Sequence, residues 1–274
     1  MKIKFGDMRW PEIADVLEKP NVVLLPVGST EQHGRHLPVN FDSYCVEVYA
    51  ERAARKVTDE HGIRTLVAPS ITYGEACGSP PFKEMLPGTI TIRPNTLISL
   101  LEDVVRSLVD QGFRNVLVLN GHMENAGPIS VALRNVAIEC KDHDLGLYGT
   151  SCLALAREKW SELAKGGRGA QGHAGERETA VALAIEPENV DTSICYEGSH
   201  ASSLPPKYIM PLSRGMVFFH SRIGGVRDGG IHVDNPCAAT KETGEEIVAA
   251  VIEELIEIIV AISKSEGIKH EERV

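Results

Sequence analysis

The stretch Asn21-Val22-Val23-Leu24-Leu25-Pro26-Val27, closed by Gly28, is apolar at nearly every position. A strand of that kind offers no face to water and needs cover on both sides. Asn115-Val116-Leu117-Val118-Leu119 repeats the pattern, Thr65-Leu66-Val67-Ala68 does so more briefly, and Leu145 to Thr150 reads as a fourth strand. Helical patterns lie between them. Asp42 opens one that runs to about Lys56, and Pro128 opens another. The clearest has Asn95 as its expected cap and Gly112 as its stop, with Leu97, Leu100, Leu101, Val104, Val105 and Leu108 on one face. Doubly covered strands alternating with helices specify an α/β fold, a three-layer α/β/α sandwich with a mainly parallel central sheet. No repeat or linker interrupts the alternation, so residues 1–274 read as a single domain.

With 43% apolar and 24% charged residues, the chain can bury a sizeable core and is not self-solvating. Its net charge of −10 argues against a nucleic-acid groove or an anionic membrane surface as partner. The most apolar stretch, Ile247 to Ile262, is broken by Glu253, Glu254 and Glu257, which makes it an amphipathic helix and not a membrane span. The opening residues, Met1 to Asp7, contain no apolar core of a secretory leader. Six cysteines (Cys45, Cys77, Cys140, Cys152, Cys195, Cys237) are scattered without a C-x-x-C pair, which leads us to expect reduced thiols and a cytoplasmic protein.

Polar chemistry gathers in three places. After the first strand comes Gly28-Ser29-Thr30-Glu31-Gln32-His33-Gly34-Arg35-His36-Leu37-Pro38, then Asp42. Ligands of open α/β sheets bind beyond the carboxyl ends of strands, and carboxylate with neutral imidazole is a donor set for borderline divalent metals. Asn120-Gly121-His122-Met123-Glu124-Asn125 follows another strand in the same way. Two acid-and-imidazole loops at one sheet edge supply enough ligands for two ions, whereas either loop alone is equally well a solvated polar turn. The third cluster is Gly172-His173-Ala174-Gly175-Glu176-Arg177-Glu178-Thr179, with a helix expected to begin near Glu178. His173 suits proton transfer and Glu178 suits metal coordination or base chemistry, although acids there also complement a helix dipole. His61, His143, His200, His220, His232 and His270 stand alone and read as surface or core residues. The glycine-rich stretches Gly74 to Gly88 and Gly166 to Gly175 read as long loops, functional or merely irregular surface, and Arg222 to Asp234 reads as a substrate loop, a subunit contact or a bend in an edge strand.

Taken together, the three clusters resemble the motifs of the creatininase family of amidohydrolases, over roughly residues 5 to 260. The resemblance implies an α/β sandwich, often hexameric, with a binuclear centre holding zinc and manganese, iron being compatible with the same ligands. By motif matching, Glu31 and His122 would hold one metal, His33 and Glu124 the other, and Asp42 would bridge them. Glu178 would stand close to the centre, as a ligand in place of Glu124 or in addition to it. His173 would transfer the proton. The implied reaction is hydrolysis of a small cyclic amide or related carbonyl compound by a hydroxide held between the metals. The family resemblance also extends to formamide-opening, peptide-trimming and keto-inositol-opening enzymes. Where creatininase has aromatic walls this chain has Met123 and Gly169, which argues against a flat ring such as creatinine; Trp160 is a loosely matched candidate for a remaining lid aromatic. A non-catalytic reading, a metal-stapled oligomeric scaffold, would need closed sites with no position left for water or substrate.

Overall fold

The computed structural model describes residues 1–76, 87–141, 143–165, 172–195 and 235–265. Four strands, β1 (Asn21–Val27), β2 (Arg64–Val67), β3 (Asn115–Asn120) and β4 (Gly146–Ser151), form a wholly parallel sheet in the order β2-β1-β3-β4. The period-two rule divides each central strand between two cores. Val22 and Leu24 of β1 and Leu117 and Leu119 of β3 join one, whereas Val23, Leu25 and Val27 with Val116 and Val118 join the other.

Helices α2 (Phe41–His61), α6 (Glu176–Ile185) and α7 (Lys241–Lys264) cover the first face. Helices α1 (Trp10–Leu17), α3 (Pro94–Asp110) and α4 (Ala126–Glu139) cover the second. The expected three-layer sandwich is therefore the observed fold. Short α5 (Arg157–Leu163) carries Trp160, which is buried in the first core. That corrects the lid suggested for this side chain: its large apolar area is taken up by packing.

Several boundaries differ from expectation for local reasons. Helix α3 starts one residue before Asn95, because Pro94 has its φ preset for the first helical position and Arg93 stays extended before it. The stop at Gly112 is as expected, with φ of 110°. Helix α2 is entered from Asn40, one residue before Phe41, so Asp42 lies inside its first turn and not at its cap. Helix α1 has apolar residues at helical spacing, Ile13, Val16 and Leu17, which pack on the second core, but its eight residues are too short a run for periodicity to decide.

The thiol expectation fails at one pair, since Cys195 and Cys237 are joined in a disulfide. They lie 42 positions apart and meet only because the turns that carry them, Thr192–Ile194 and Pro236–Ala238, come together in the fold, so spacing held no hint. The argument for a reducing compartment loses that support. Cys45, Cys140 and Cys152 are free, and Cys77 lies outside the described residues. No helix among the described residues is long and apolar enough to cross a membrane.

Candidate functional site

Strand order decides where the chemistry collects. Leaving β1, the sheet grows toward β2 on one side and toward β3 on the other, so a crevice opens beyond the carboxyl ends of β1 and β3. Val27 and Asn120, the last residues of these strands, are register partners, and the first two polar clusters follow them directly. Glycines allow the close approach. A Cβ on Gly121 would stand 2.5 Å from the carbonyl oxygen of Asp42, and one on Gly28 would collide with the backbone of Ser43. The first turn of α2 thus seats against both strand ends and delivers Asp42 between the loops.

Six side chains converge in two groups, Glu31 with Asp42 and His122, and His33 with His173 and Glu178; within each, the candidate ligand atoms lie within 4.8 Å of one another. Asp42 spans the groups. Its Oδ1 lies 3.1 Å from Nε2 of His33 and its Oδ2 lies 2.8 Å from Nδ1 of His122. Glu31 Oε2 approaches the same nitrogen of His122 at 3.5 Å, and Glu178 Oε2 lies 3.8 Å from Nε2 of His33. Nδ1 of His33 donates to the carbonyl of Glu31 at 2.9 Å, which turns Nε2 inward.

Glu124 is placed differently. Its Oε2 sits 2.9 Å from Nε2 of His122, on the ring edge opposite to Asp42 and Glu31. The carboxylate that comes to His33 is thus that of Glu178, not that of Glu124. Glu178 is held by the N–H of Ala174, which donates to its Oε2 at 2.6 Å from a backbone with φ of 50°. A non-glycine residue in that region costs roughly 1–2 kcal/mol, and here the conformation aims a donor at the carboxylate. Glu176 points elsewhere and accepts from the N–H of Lys165. His173 stacks near His33 with ring centroids 4.4 Å apart; its Nε2 is 2.6 Å from the carbonyl oxygen of Gln32 and its Nδ1 is 3.9 Å from Glu31 Oε2.

The electrostatics follow from burial combined with opposite charge. Burial by itself would lower the pKa of His33, but Asp42, then Glu178 and Glu31, outweigh it and raise it to about 10. His122 is likewise raised well above the ordinary imidazole value against its own desolvation, chiefly by Asp42 and then Glu124. Burial pushes Asp42 upward, yet the two imidazoles hold its carboxyl well below the usual range.

Supporting residues had no role in the sequence reading. Asn125 donates to the carbonyl of Gly28 at 2.9 Å and accepts from the N–H of Glu75 at 3.0 Å, pinning the two strand-end loops together. Asn120 accepts from the N–H of His122. Gln32 and the His36–Thr179 pair complete the frame. Their signal was present only as amides and imidazoles quoted inside the motifs. His61 and His143 are exposed, as their isolation suggested. Gly169, the stretch Arg222 to Asp234, His200, His220, His232 and His270 lie outside the described residues, as do parts of the other two glycine-rich stretches.

Known proteins resemble the chain in sequence and in fold. The family model described as "Creatininase: Creatinine amidohydrolase" matches residues 6–259. A mycofactocin precursor peptide peptidase from Mycobacterium ulcerans (strain Agy99) is 33% identical over 241 residues, covering 85% of this chain and 82% of that protein. Creatinine amidohydrolase from Pseudomonas putida is 33% identical over 127 residues, 44% of this chain and 45% of that protein. A crystal structure of creatinine amidohydrolase (creatininase) superposes with a TM-score of 0.77 at 24% identity, covering 96% of this chain and 99% of the other. Sheet order, strand-end clusters and a match over nearly the whole length lead to one conclusion: the chain belongs to the creatininase family of hydrolases.

Proposed function

We propose that the chain hydrolyses C–N amide bonds with two divalent metal ions, zinc or manganese, iron also suiting the ligands. One observation carries this reading: the two oxygens of Asp42 face two different imidazoles, each backed by a further carboxylate. The donor set fits such ions, because Glu31, Asp42 and Glu178 are all buried and two dications would offset that concentration of negative charge. Glu31, Asp42 and His122 would hold one ion, and His33, Asp42 and Glu178 the other. Bound there, the ions would activate water and polarise the scissile carbonyl.

The remaining work falls to side chains. With its Nε2 directed to the Gln32 carbonyl, His173 turns Nδ1 toward the cluster, where it can take up a proton and pass it to the departing nitrogen. A positioned acid of this kind contributes on the order of 10²–10⁴ in rate. Glu124, with its side chain 35% exposed, steadies the outer edge of His122 and meets whatever enters. His122→Ala is expected to lose at least one metal equivalent by elemental analysis and to abolish hydrolysis; a fully metallated, active variant rejects the assignment.

Within the amide class we favour a peptide bond over a flat cyclic amide. The peptidase relative aligns over 85% of the chain against 44% for creatinine amidohydrolase. Met123 beside His122 and Ile90 beside Thr30 are also exposed apolar groups next to the motif loops, suited to an extended substrate. Assay of the metal-loaded protein against short peptides, creatinine, a formamide and a keto-inositol tests this. Amine release from peptides is expected; turnover of the keto-inositol alone replaces amide hydrolysis by C–C hydrolysis, and no turnover of any leaves the scaffold reading. A homo-oligomer, a hexamer by the family resemblance, fits the exposed Val131 and Ile138, seven positions apart on α4.

The raised imidazoles also set a pH dependence. In the metal-free protein the stabilising charge on His33 is complete below about 6.5, the ordinary value, and is lost as pH rises through about 10. Metal ligation needs the neutral ring, so loading at pH 7 is expected to release protons from both His33 and His122. Apparent affinity should then strengthen about tenfold per pH unit for each proton released. Calorimetric titration in buffers of different ionisation enthalpy measures the number; a value of zero is incompatible with these imidazoles as ligands.

A further inference from the structure

His33 and Glu178 arrive from different places, one on the loop after β1 and the other on the first turn of α6. A buried pair beside them ties the two elements together. Nε2 of His36 lies 2.8 Å from Oγ1 of Thr179, the residue after Glu178, and both side chains are buried. The imidazole has little freedom. Gly34, with φ of 67°, passes so close that a Cβ there would stand 2.9 Å from Nδ1 of His36. A β-bridge between His33 and Leu37 closes the loop around it, and the His36 carbonyl accepts from the N–H of Asp191 at 3.0 Å. Thr179 is equally held, its N–H donating to the carbonyl of Gly175 at 3.0 Å.

We propose that His36 and Thr179 form a positioning clasp that sets the separation of His33 from Glu178, and through it the affinity of the half-site those two build. The inference rests on the reading of the site as binuclear. Each member of the clasp is anchored within a few residues of a ligand and joined to it by a bridge or a helical turn. Metal–ligand distances tolerate only about ±0.2 Å, so freeing the loop from the helix loosens chiefly the half-site that takes Glu178 from α6, while His122, on the loop after β3, keeps its place. Removal of orienting groups around metal ligands typically weakens binding about 10–100-fold, and an effect of that size is expected here.

Titration of metal-stripped protein with Zn²⁺ against a chromophoric chelator tests the clasp without recourse to activity. Wild type is expected to bind two equivalents. Thr179→Val, which keeps the side-chain volume but removes the oxygen, should weaken one equivalent about 10–100-fold and spare the other. Thr179→Ser should restore wild-type binding. His36→Gln should match Thr179→Val, and the double variant should be no weaker than either, as two halves of one contact require. Because Thr179→Val is near-isosteric, the test stands even where His36→Gln fails to fold. Wild type binding two equivalents with Thr179→Val unchanged, or with both equivalents weakened alike, overturns the clasp alone. Additive losses in the double variant overturn it as well. Wild type taking up fewer than two equivalents overturns the binuclear reading, and the clasp with it.

Discussion

Asp42→Asn is expected to strip both metal ions and to lower kcat/KM by roughly three orders of magnitude or more, since metal polarisation supplies several kcal/mol to the transition state. The substitution keeps shape and volume, so the loss would be one of charge and donor chemistry. The two oxygens of Asp42 address the two imidazoles, at 3.1 Å and 2.8 Å. An amide can offer one oxygen but must present an NH₂ group to the other ring. It also removes the negative charge that, against desolvation, does most to keep His33 and His122 protonated in the metal-free protein. The variant should therefore fold, with both imidazoles shifted back toward neutrality. Metal content by elemental analysis, read beside kcat/KM, checks the prediction; retention of two ions rejects a bridging role.

The largest expected effect on stability lies away from the ligands, at the crossing of α6 and α7. Gly244 is buried there, and a Cβ on it would collide with the carbonyl group of Ala180 and stand 3.0 Å from Cβ of Ala184. The obstacle is helix backbone, so no rotamer change relieves it. Gly244→Ala would force α7 outward, lifting Ile247, Val248, Val251 and Leu255 from the core they share with α2 and α6. Replacing glycine by alanine inside a helix normally gains about 1 kcal/mol; here the expectation is a loss of about 3 kcal/mol, at the upper end of overpacking costs. Gly127→Ala in α4 is the control, because nothing lies within 4 Å of its would-be Cβ. Urea denaturation of the two variants should move in opposite directions. A neutral or stabilised Gly244→Ala would show that the crossing has room the packing denies.

The sandwich was legible because β1 and β3 are apolar at consecutive positions and α3 has an unbroken apolar stripe. Those patterns arise from burial, the strongest constraint on which residue types a position tolerates. Helix α1 carries the same kind of stripe in Ile13, Val16 and Leu17, but over only eight residues, too short a run to be decisive. The cysteine pair failed for another reason: Cys195 and Cys237 are joined by the course of the chain, and scattered spacing permits many pairings. Trp160 shows the complementary error, a large aromatic side chain read as an exposed wall when its area is spent on the core.

For the site, residue type and position after strands were enough to name Glu31, His33, Asp42, His122 and Glu124 as candidates, and position at a helix start added His173 and Glu178. Which acid meets which imidazole was not in the sequence. Glu124 lies two residues from His122 and takes its outer edge, while Glu178 crosses from α6 to His33. That choice depends on the strand order β2-β1-β3-β4, on α2 seating against Gly28 and Gly121, and on the tie from His36 to Thr179. A linear pattern records what each segment must bury or expose. Distances between atoms on separate segments exist only once the sheet, its two cores and the loop contacts are assembled.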